Sequence, residues 1–367
     1  TQFKQGNSTV HFVGTSPQTV FCTDKTEIFF NVNLANANNP FTTNSFSSDL
    51  IAEGSLTLSN DSDLTIKSGH YALATKNLSV GTGSELIIEH TGSLVQTDDT
   101  GTVSNSGTIK VNKTTTPFEK YDYTYWSSPI VTPTIASTFP TWRTDYAFYY
   151  DPTKFVDLVT INQGVQTAAI PDGFDDNEDD WVNATTMSPG KGYIIMGPTS
   201  GTFPMTQSVT FTGTVNNGVK ITAVSLTPGT PTDDDWNLIG NPYPSAISAD
   251  DFINANIGAG ANLGPDALNF SSDDYAVYTL AGGTGTSGSI SGGSKPLGYI
   301  ASGQAFFVEA QIAGNVTFNN SMRKATYSNS QFYKKKPPKK EVSKVAFLLS
   351  CNLQTNYKAG ILNTCPG

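Results

Sequence analysis

The chain has 367 residues, a formal net charge of −10 and only 14% charged side chains, with Thr, Ser, Asn and Gly filling much of the rest. This acidic balance argues against nucleic acid or anionic lipid as a partner, because both demand clustered Lys and Arg, and no apolar run approaches the 18 residues of a transmembrane segment. Short polar residues suit turns and solvent-facing strand positions, and no stretch sustains a 3.6-residue apolar period, so the sequence predicts an all-β chain.

Thr1 in place of Met reads as a processing site or the edge of a fragment. Residues 1–115 then carry a repeat of short alternating pairs: Leu56/Leu58, Leu64/Ile66, Leu78/Val80 and Leu86/Ile88. Leu56 to Leu78 is 22 residues, Leu64 to Leu86 is again 22, and Leu73 is matched with Leu94 at 21. Gly and Asn punctuate the pairs at Gly54, Asn60, Gly69, Asn77, Gly83 and Gly92. Three short strands per 22 residues predict a parallel (right-handed) β-solenoid, in which each coil buries its Leu, Ile and Val only by stacking on the next. The competing arrangement is an antiparallel sandwich, whose strands recur at similar spacing; the repetition of the whole triplet favours the solenoid.

After residue 115 the Leu pairs give way to aromatics, from Tyr121, Tyr123, Tyr125 and Trp126 to Tyr150, which fits a cap over the open end of the solenoid. A larger repeat follows. Tyr125–Ile130 resembles Trp236–Pro244 with the tryptophans 110 residues apart; Ser188–Met196 parallels Ala301–Glu309 at 113; Val209–Gly213 parallels Val316–Asn320 at 107. Two related β-units are expected, residues 116–225 and 226–333, as a sandwich or jelly-roll-like region. Residues 250–257 are the one plausible short helix, with Ser248 as its cap. Residues 334–367 are a basic linker (Lys334 to Lys340) and a tail.

Candidate chemistry is sparse. The histidines His11, His70 and His90 have no ligand partner at helical or strand spacing and read as surface polar residues. Cys22, Cys351 and Cys365 form no metal pattern; Cys351 and Cys365 could pair in an oxidising compartment. Gly283–Gly288 matches GxGxxG formally, but Ser-Gly-Gly continues where the helix should begin. The densest carboxylate cluster is Asp172, Asp175, Asp176, Asn177, Asp179 and Asp180, whose hard oxygens would suit Ca²⁺, against the plain alternative of a solvated acidic loop. Asp233–Asp235 occupies the position equivalent to Tyr123–Tyr125 at the 110-residue offset and so is no duplicate of that site. Most rings of 117–150 are expected in a core, with a few free to stack on sugars.

The blocks Trp126–Pro129, Gly240–Ala246 and Gly303–Val308, followed by Asn319–Arg323, resemble a large group of Bacteroidetes (Flavobacterium-type) secreted surface proteins, as does the solenoid ending in Gly107–Val111. The resemblance covers residues 10 to 333. It implies export by the type IX secretion system, partners in that translocon and the outer membrane, an extracellular or cell-surface location, and adhesin-like, non-enzymatic roles including gliding motility. Past Lys344 the sequence departs from the group's pattern, in which a sorting domain follows. A carbohydrate-binding portion of a secreted polysaccharide-degrading enzyme is the alternative, with surface glycans as ligands in either case.

Overall fold

The computed structural model describes residues 6–20, 28–37, 40–46, 49–156, 160–162, 165–168, 179–228, 235–256, 277–279, 282–284, 299–310, 312–325 and 329. The first third is a three-faced parallel β-solenoid. One face stacks Thr9–Val13, Asn31–Ala35, Leu56–Leu58, Leu78–Val80 and Val103–Asn105. The second stacks Phe41–Thr42, Leu64–Ile66, Glu85–Ile88 and Thr108–Thr114, and the third Ile28–Phe29, Leu50–Ala52, Tyr71–Ala74 and Ser93–Val95.

The 22-residue period is the coil. Leu56 lies beside Leu78 and Leu58 beside Val80; Leu64 lies beside Leu86 and Ile66 beside Ile88. All eight are buried, because alternate residues of a strand point to one side and stacking sets like upon like. The match of Leu73 with Leu94 is corrected: Leu94 pairs with the inward Ala72, and Leu73 pairs with Val95. The third face thus keeps the 22-residue period, with Leu50, Ala72 and Leu94 inside and Ile51 and Leu73 on the outer side. In the first coils phenylalanines replace the Leu pairs. Phe12 meets Phe29 and Phe46 edge-on at 5.9 and 5.4 Å, and Phe41 stacks on Phe46, filling the first coils with rings.

The region after residue 115 is built mostly of antiparallel sheets. Tyr123–Trp126, Tyr193–Met196, Arg143–Tyr150 and Trp181–Asn183 make a four-stranded sheet in the order first, second, third, fourth. Trp236–Gly240 pairs with Ala305–Glu309, Ile247–Ser248 with Tyr299–Ile300, and Lys220–Val224 with Gly314–Phe318. The helix spans Ala249–Asn256, and the Ser248 hydroxyl accepts the Asp251 N–H at 3.0 Å, as a cap should.

Strand register corrects the alignment of the two units. Trp126 pairs with Tyr193 and Ile239 with Phe306, so Trp126 is equivalent to Ile239, not Trp236, and Pro129 to Pro242, all at an offset of 113. Asp235 consequently matches Asp122 rather than Tyr125: the Asp122 carbonyl accepts the Gly197 N–H, and the Asp235 carbonyl accepts the Ala310 N–H. The units also join symmetrically. The Ser127 N–H donates to the Gly303 carbonyl and the Gly240 N–H to the Gly190 carbonyl, at 2.8 and 2.9 Å. Gly190 and Gly303 are equivalent, and both sit at positive φ (82° and 72°), where a side chain would be strained.

The solenoid runs into this region without a break in its core. Thr108–Thr114 pairs parallel with Glu85–Ile88 on one edge and antiparallel with Ser208–Thr212 on the other. Above it Trp126, Phe139, Trp142 and Phe211 interlock, with Phe139 5.0 Å from Trp126 and 5.2 Å from Trp142. Lys113 follows Ile109 and Val111 on the inward parity of that strand and is fully buried. Its Nζ donates to the His90 carbonyl at 3.0 Å, and His90 Nδ1 accepts the Thr114 N–H at 3.0 Å. Burial pushes the Lys113 amine down to about 7; burial, then the Lys113 charge, pushes His90 down to about 4.

Two outcomes are expected. Leu86→Ala should cost about 2–5 kcal/mol in urea unfolding, whereas Ile87→Ala, on the outer side of the same strand, should cost well under half as much. Between pH about 7 and the ordinary lysine value of 10.5, Lys113 is neutral when folded and protonated when unfolded, so stability should rise with pH across that window. His90 acts with the same sign between about 4 and 6.5. Urea midpoints of Lys113→Met measured from pH 7 to 10 should show a shallower slope than the unaltered chain.

Candidate functional site

Of the acidic cluster, Asp172, Asp175, Asp176 and Asn177 lie outside the described residues. Asp179 sits 3.5 Å from Lys154 Nζ, and Asp180 is buried with its carbonyl accepting the Asp151 N–H at 2.8 Å. Among the described residues no group of three or more His, Cys, Asp or Glu is placed to hold a metal. Cys22, Cys351 and Cys365 also lie outside them, as does Gly285–Gly288, while Gly283 and Thr284 belong to a hairpin strand paired with Val277–Thr279. The histidines separate. His11 Nδ1 is 3.2 Å from Asn33 Nδ2, and His70 is 3.4 Å from Asp49. His90 is a half-buried structural acceptor rather than a surface residue.

The rings of 117–150 divide by burial. Tyr125, Trp126, Phe139, Trp142 and Tyr150 are core. Tyr123 and Phe148 are half-buried on neighbouring parts of the four-stranded sheet, with centroids 6.3 Å apart. Two residues before Phe148, half-buried Tyr146 carries the Arg143 guanidinium 4.5 Å from its centroid. Arg143 also forks onto Asp145 at 2.9 and 2.7 Å, which holds that carboxyl below its ordinary range. Exposed Tyr121 has Lys120 Nζ 4.9 Å from its ring. Lys191 Nζ lies 3.2 Å from the Tyr149 centroid, and burial lowers its pKa. Flat apolar faces beside cations and a carboxylate can stack on a sugar ring and hydrogen-bond its hydroxyls.

The most heavily built polar cluster is where the second unit meets the solenoid. Arg323 is 2% exposed. Its Nη2 donates to the Leu94 carbonyl of the last coil at 2.8 Å, Nη1 to Asn217 Oδ1 and Asn320 Oδ1 at 2.8 and 3.1 Å, and Nε to Ser245 Oγ at 3.1 Å. The guanidinium carbon stands 4.8 Å from the Tyr243 centroid, and the Tyr243 hydroxyl donates to the Gly218 carbonyl at 2.8 Å. Burial pushes Arg323 down to about 10, still charged near neutrality. Asn320 ties the cluster to the coil by donating to the Asp98 carbonyl and, through its N–H, to Asp99 Oδ1. Asn329 donates to the Gly92 carbonyl and Ser93 Oγ, and the Leu94 N–H donates to the Pro244 carbonyl. No functional reading of the sequence singled out Arg323 or Lys113. For Lys113 the signal was available, as a lysine at the third inward position after Ile109 and Val111.

From Ile28–Phe29 onward the solenoid, its junction and both units fall within one family match, since residues 23–356 fit the model described as Domain of unknown function (DUF8693). The chain belongs to this family. No curated protein and no solved structure is detectably similar to it. The match begins between Thr9–Val13 and Ile28–Phe29 and runs past Asn329, so the solenoid strands from Ile28 on and the two units belong to one family unit.

Arg323→Ala should destabilise the chain by about 3–5 kcal/mol, because it takes the guanidinium donor from the Leu94 carbonyl in a dry junction and one donor from each asparagine oxygen, which keep only the Asn320 amide and the Gly218 N–H. Limited proteolysis should then cut between the solenoid and the second unit before either is degraded, whereas the parent chain should resist.

Proposed function

We propose that the chain is the display portion of a secreted or cell-surface, non-enzymatic, adhesin-like protein, exported by the type IX secretion system of a Bacteroidetes bacterium. The resemblance of the Trp126–Pro129, Gly240–Ala246 and Asn319–Arg323 blocks to such proteins supports this reading. So does the work those blocks do: they join the two units and lock the second onto the solenoid. Residues fixed for assembly suit a rod that presents a surface. The observation that carries the reading is the half-buried aromatic band of Tyr123, Tyr146 and Phe148, with Arg143 and Asp145 beside it. It lies on a sheet whose neighbouring strands are sealed into the solenoid cap, so its rings are held in place before any ligand arrives.

The same band supports the second reading, a carbohydrate-binding portion of a secreted polysaccharide-degrading enzyme. A glycan array with surface-immobilised chain separates the two. Narrow binding to one polysaccharide class, weakened about tenfold in Phe148→Ala and in Tyr146→Ala, would favour the carbohydrate-binding portion; a tenfold loss corresponds to about 1.4 kcal/mol, the scale of one lost ring contact. Broad attachment to cells or surfaces, reduced only when several band residues are replaced together, is the result expected of an adhesin. No attachment by the parent chain to glycans, cells or abiotic surfaces would overturn both.

A further inference from the structure

Bounded by strand register, so that Thr108–Thr114 opens the first unit and Lys220–Val224 the second in place of starts at residues 116 and 226, the two units share an internal symmetry that is broken at one edge. Thr108–Thr114 and Lys220–Val224 are equivalent strands: Val111 pairs with Phe211 and Lys113 with Val209, as Lys220 pairs with Phe318 and Thr222 with Val316. Each is followed across the pair by a helix, Ile135–Thr138 in the first unit and Ala249–Asn256 in the second. On its other edge Thr108–Thr114 pairs through residues 108–111 with the solenoid strand Glu85–Ile88. Among the described residues, Lys220–Val224 has no strand on that edge.

The outer side chains differ in the same sense. At the positions equivalent to Ile221 and Ala223, just past the stretch that pairs with the solenoid, the first unit carries Asn112 and Thr114. Ile221 is 61% exposed and Val219 is 50% exposed. Just past the Val224–Gly314 pair stand Leu226 and Ile312, 37% and 51% exposed. These four are half of the eight large apolar residues exposed among the described ones. The fold does not require them, since the first unit keeps the same backbone with polar residues. An unpaired strand edge with an apolar face is what native proteins blunt with charge unless something pairs with it.

We infer that this edge is an interface between two copies of the chain, with Lys220–Val224 of each pairing antiparallel across a two-fold axis. Charge selects the occupant. Residues 218–226 and 312–318 contain no Asp or Glu, in a chain with 31. A carboxylate-free, largely apolar patch is where two copies of charge −10 can approach; its one charged residue, Lys220, is half-buried on the inward parity of the strand. The patch is also self-complementary. Antiparallel pairing about Thr222 sets Ile221 of one copy opposite Ala223 of the other and closes both Lys220–Val224 edges at once, so this contact is isologous and does not itself propagate.

The test is the full 367-residue chain in size-exclusion chromatography with light scattering, together with hydrogen exchange of the peptide spanning 218–226. The mass is expected to move from 39.1 kDa towards twice that value as concentration rises, with exchange of 218–226 slowing in parallel. Ile221→Lys should hold the chain at monomer mass and keep that peptide exchanging fast; at a concentration where the parent is monomeric the two should melt together, because the side chain is on the outside. Asn112→Lys, at the position of the first unit equivalent to Ile221, should leave the dimer intact. A monomer at all concentrations, a dimer that survives Ile221→Lys, or a 218–226 peptide already protected in the monomer would each overturn the proposal; the last would mean that the chain covers this edge itself.

Discussion

A stack of parallel coils cannot end on its own, because its last strand presents a row of unpaired backbone groups above an unfinished apolar core. The organisation of this chain follows from how that edge is closed. Thr108–Thr114 accepts a parallel neighbour below and an antiparallel one above, Ser208–Thr212, so the final rung of the solenoid is at once the first strand of the cap. One strand with two kinds of neighbour makes the boundary between the parts continuous. Trp126, Phe139, Trp142 and Phe211 supply the roof of the core. The closure leaves a polar burden in Lys113, an inward lysine whose amine donates to the His90 carbonyl of the coil beneath.

The solenoid has three faces, and a strand added to one does not close the others. The third face ends at Ser93–Val95, which the second unit covers: the Pro244 carbonyl takes the Leu94 N–H, and Arg323 takes the Leu94 carbonyl. An arginine suits this place because its planar fork reaches a carbonyl, two asparagines and a serine at once and still stacks near Tyr243. Its burial is costly unless every donor is engaged. The surrounding Asn217, Asn320 and Ser245 therefore have a physical job, and the dense run Asn319–Arg323 is part of a joint.

How much of this was legible in the sequence depends on the range of the interactions. The solenoid was readable because its period is written in adjacent residues: Leu56/Leu58 and Leu78/Val80 repeat what each coil buries. Leu73 was misjudged because Ala72 and Ala74, small inward residues, hid the true parity of their strand. The duplication of the later region was visible in three blocks, but its offset went wrong at Trp126. A tryptophan draws the eye, while the pairing register is fixed by the backbone at Pro129/Pro242 and Gly190/Gly303. Arg323 was illegible in principle. Its partner at Leu94 lies 229 residues away, and nothing local distinguishes an arginine in a buried joint from one in solvent. The aromatic band was half legible: composition announced many rings after residue 117, yet only packing separates Phe139, in the core, from Phe148, half out of it.

Duplication followed by unequal use explains the asymmetry of the two units better than separate origins would. Both keep the strand–strand–helix–strand–strand order, the paired glycines at positive φ and the reciprocal bonds between Ser127 and Gly303 and between Gly240 and Gly190. What differs is what each does with its outer surfaces. The first unit extends its sheet with Arg143–Tyr150 and Trp181–Asn183, which carry part of the half-buried rings, and gives its leading strand to the solenoid. The second gives its closing residues, Asn320 and Arg323, to the joint. Each duplicate thus closes a different face of the same solenoid, the first by strand pairing and the second by side chains. Two different closures are needed because a sheet extension can continue only one face, and the remaining coil end has to be met by side chains that turn the corner.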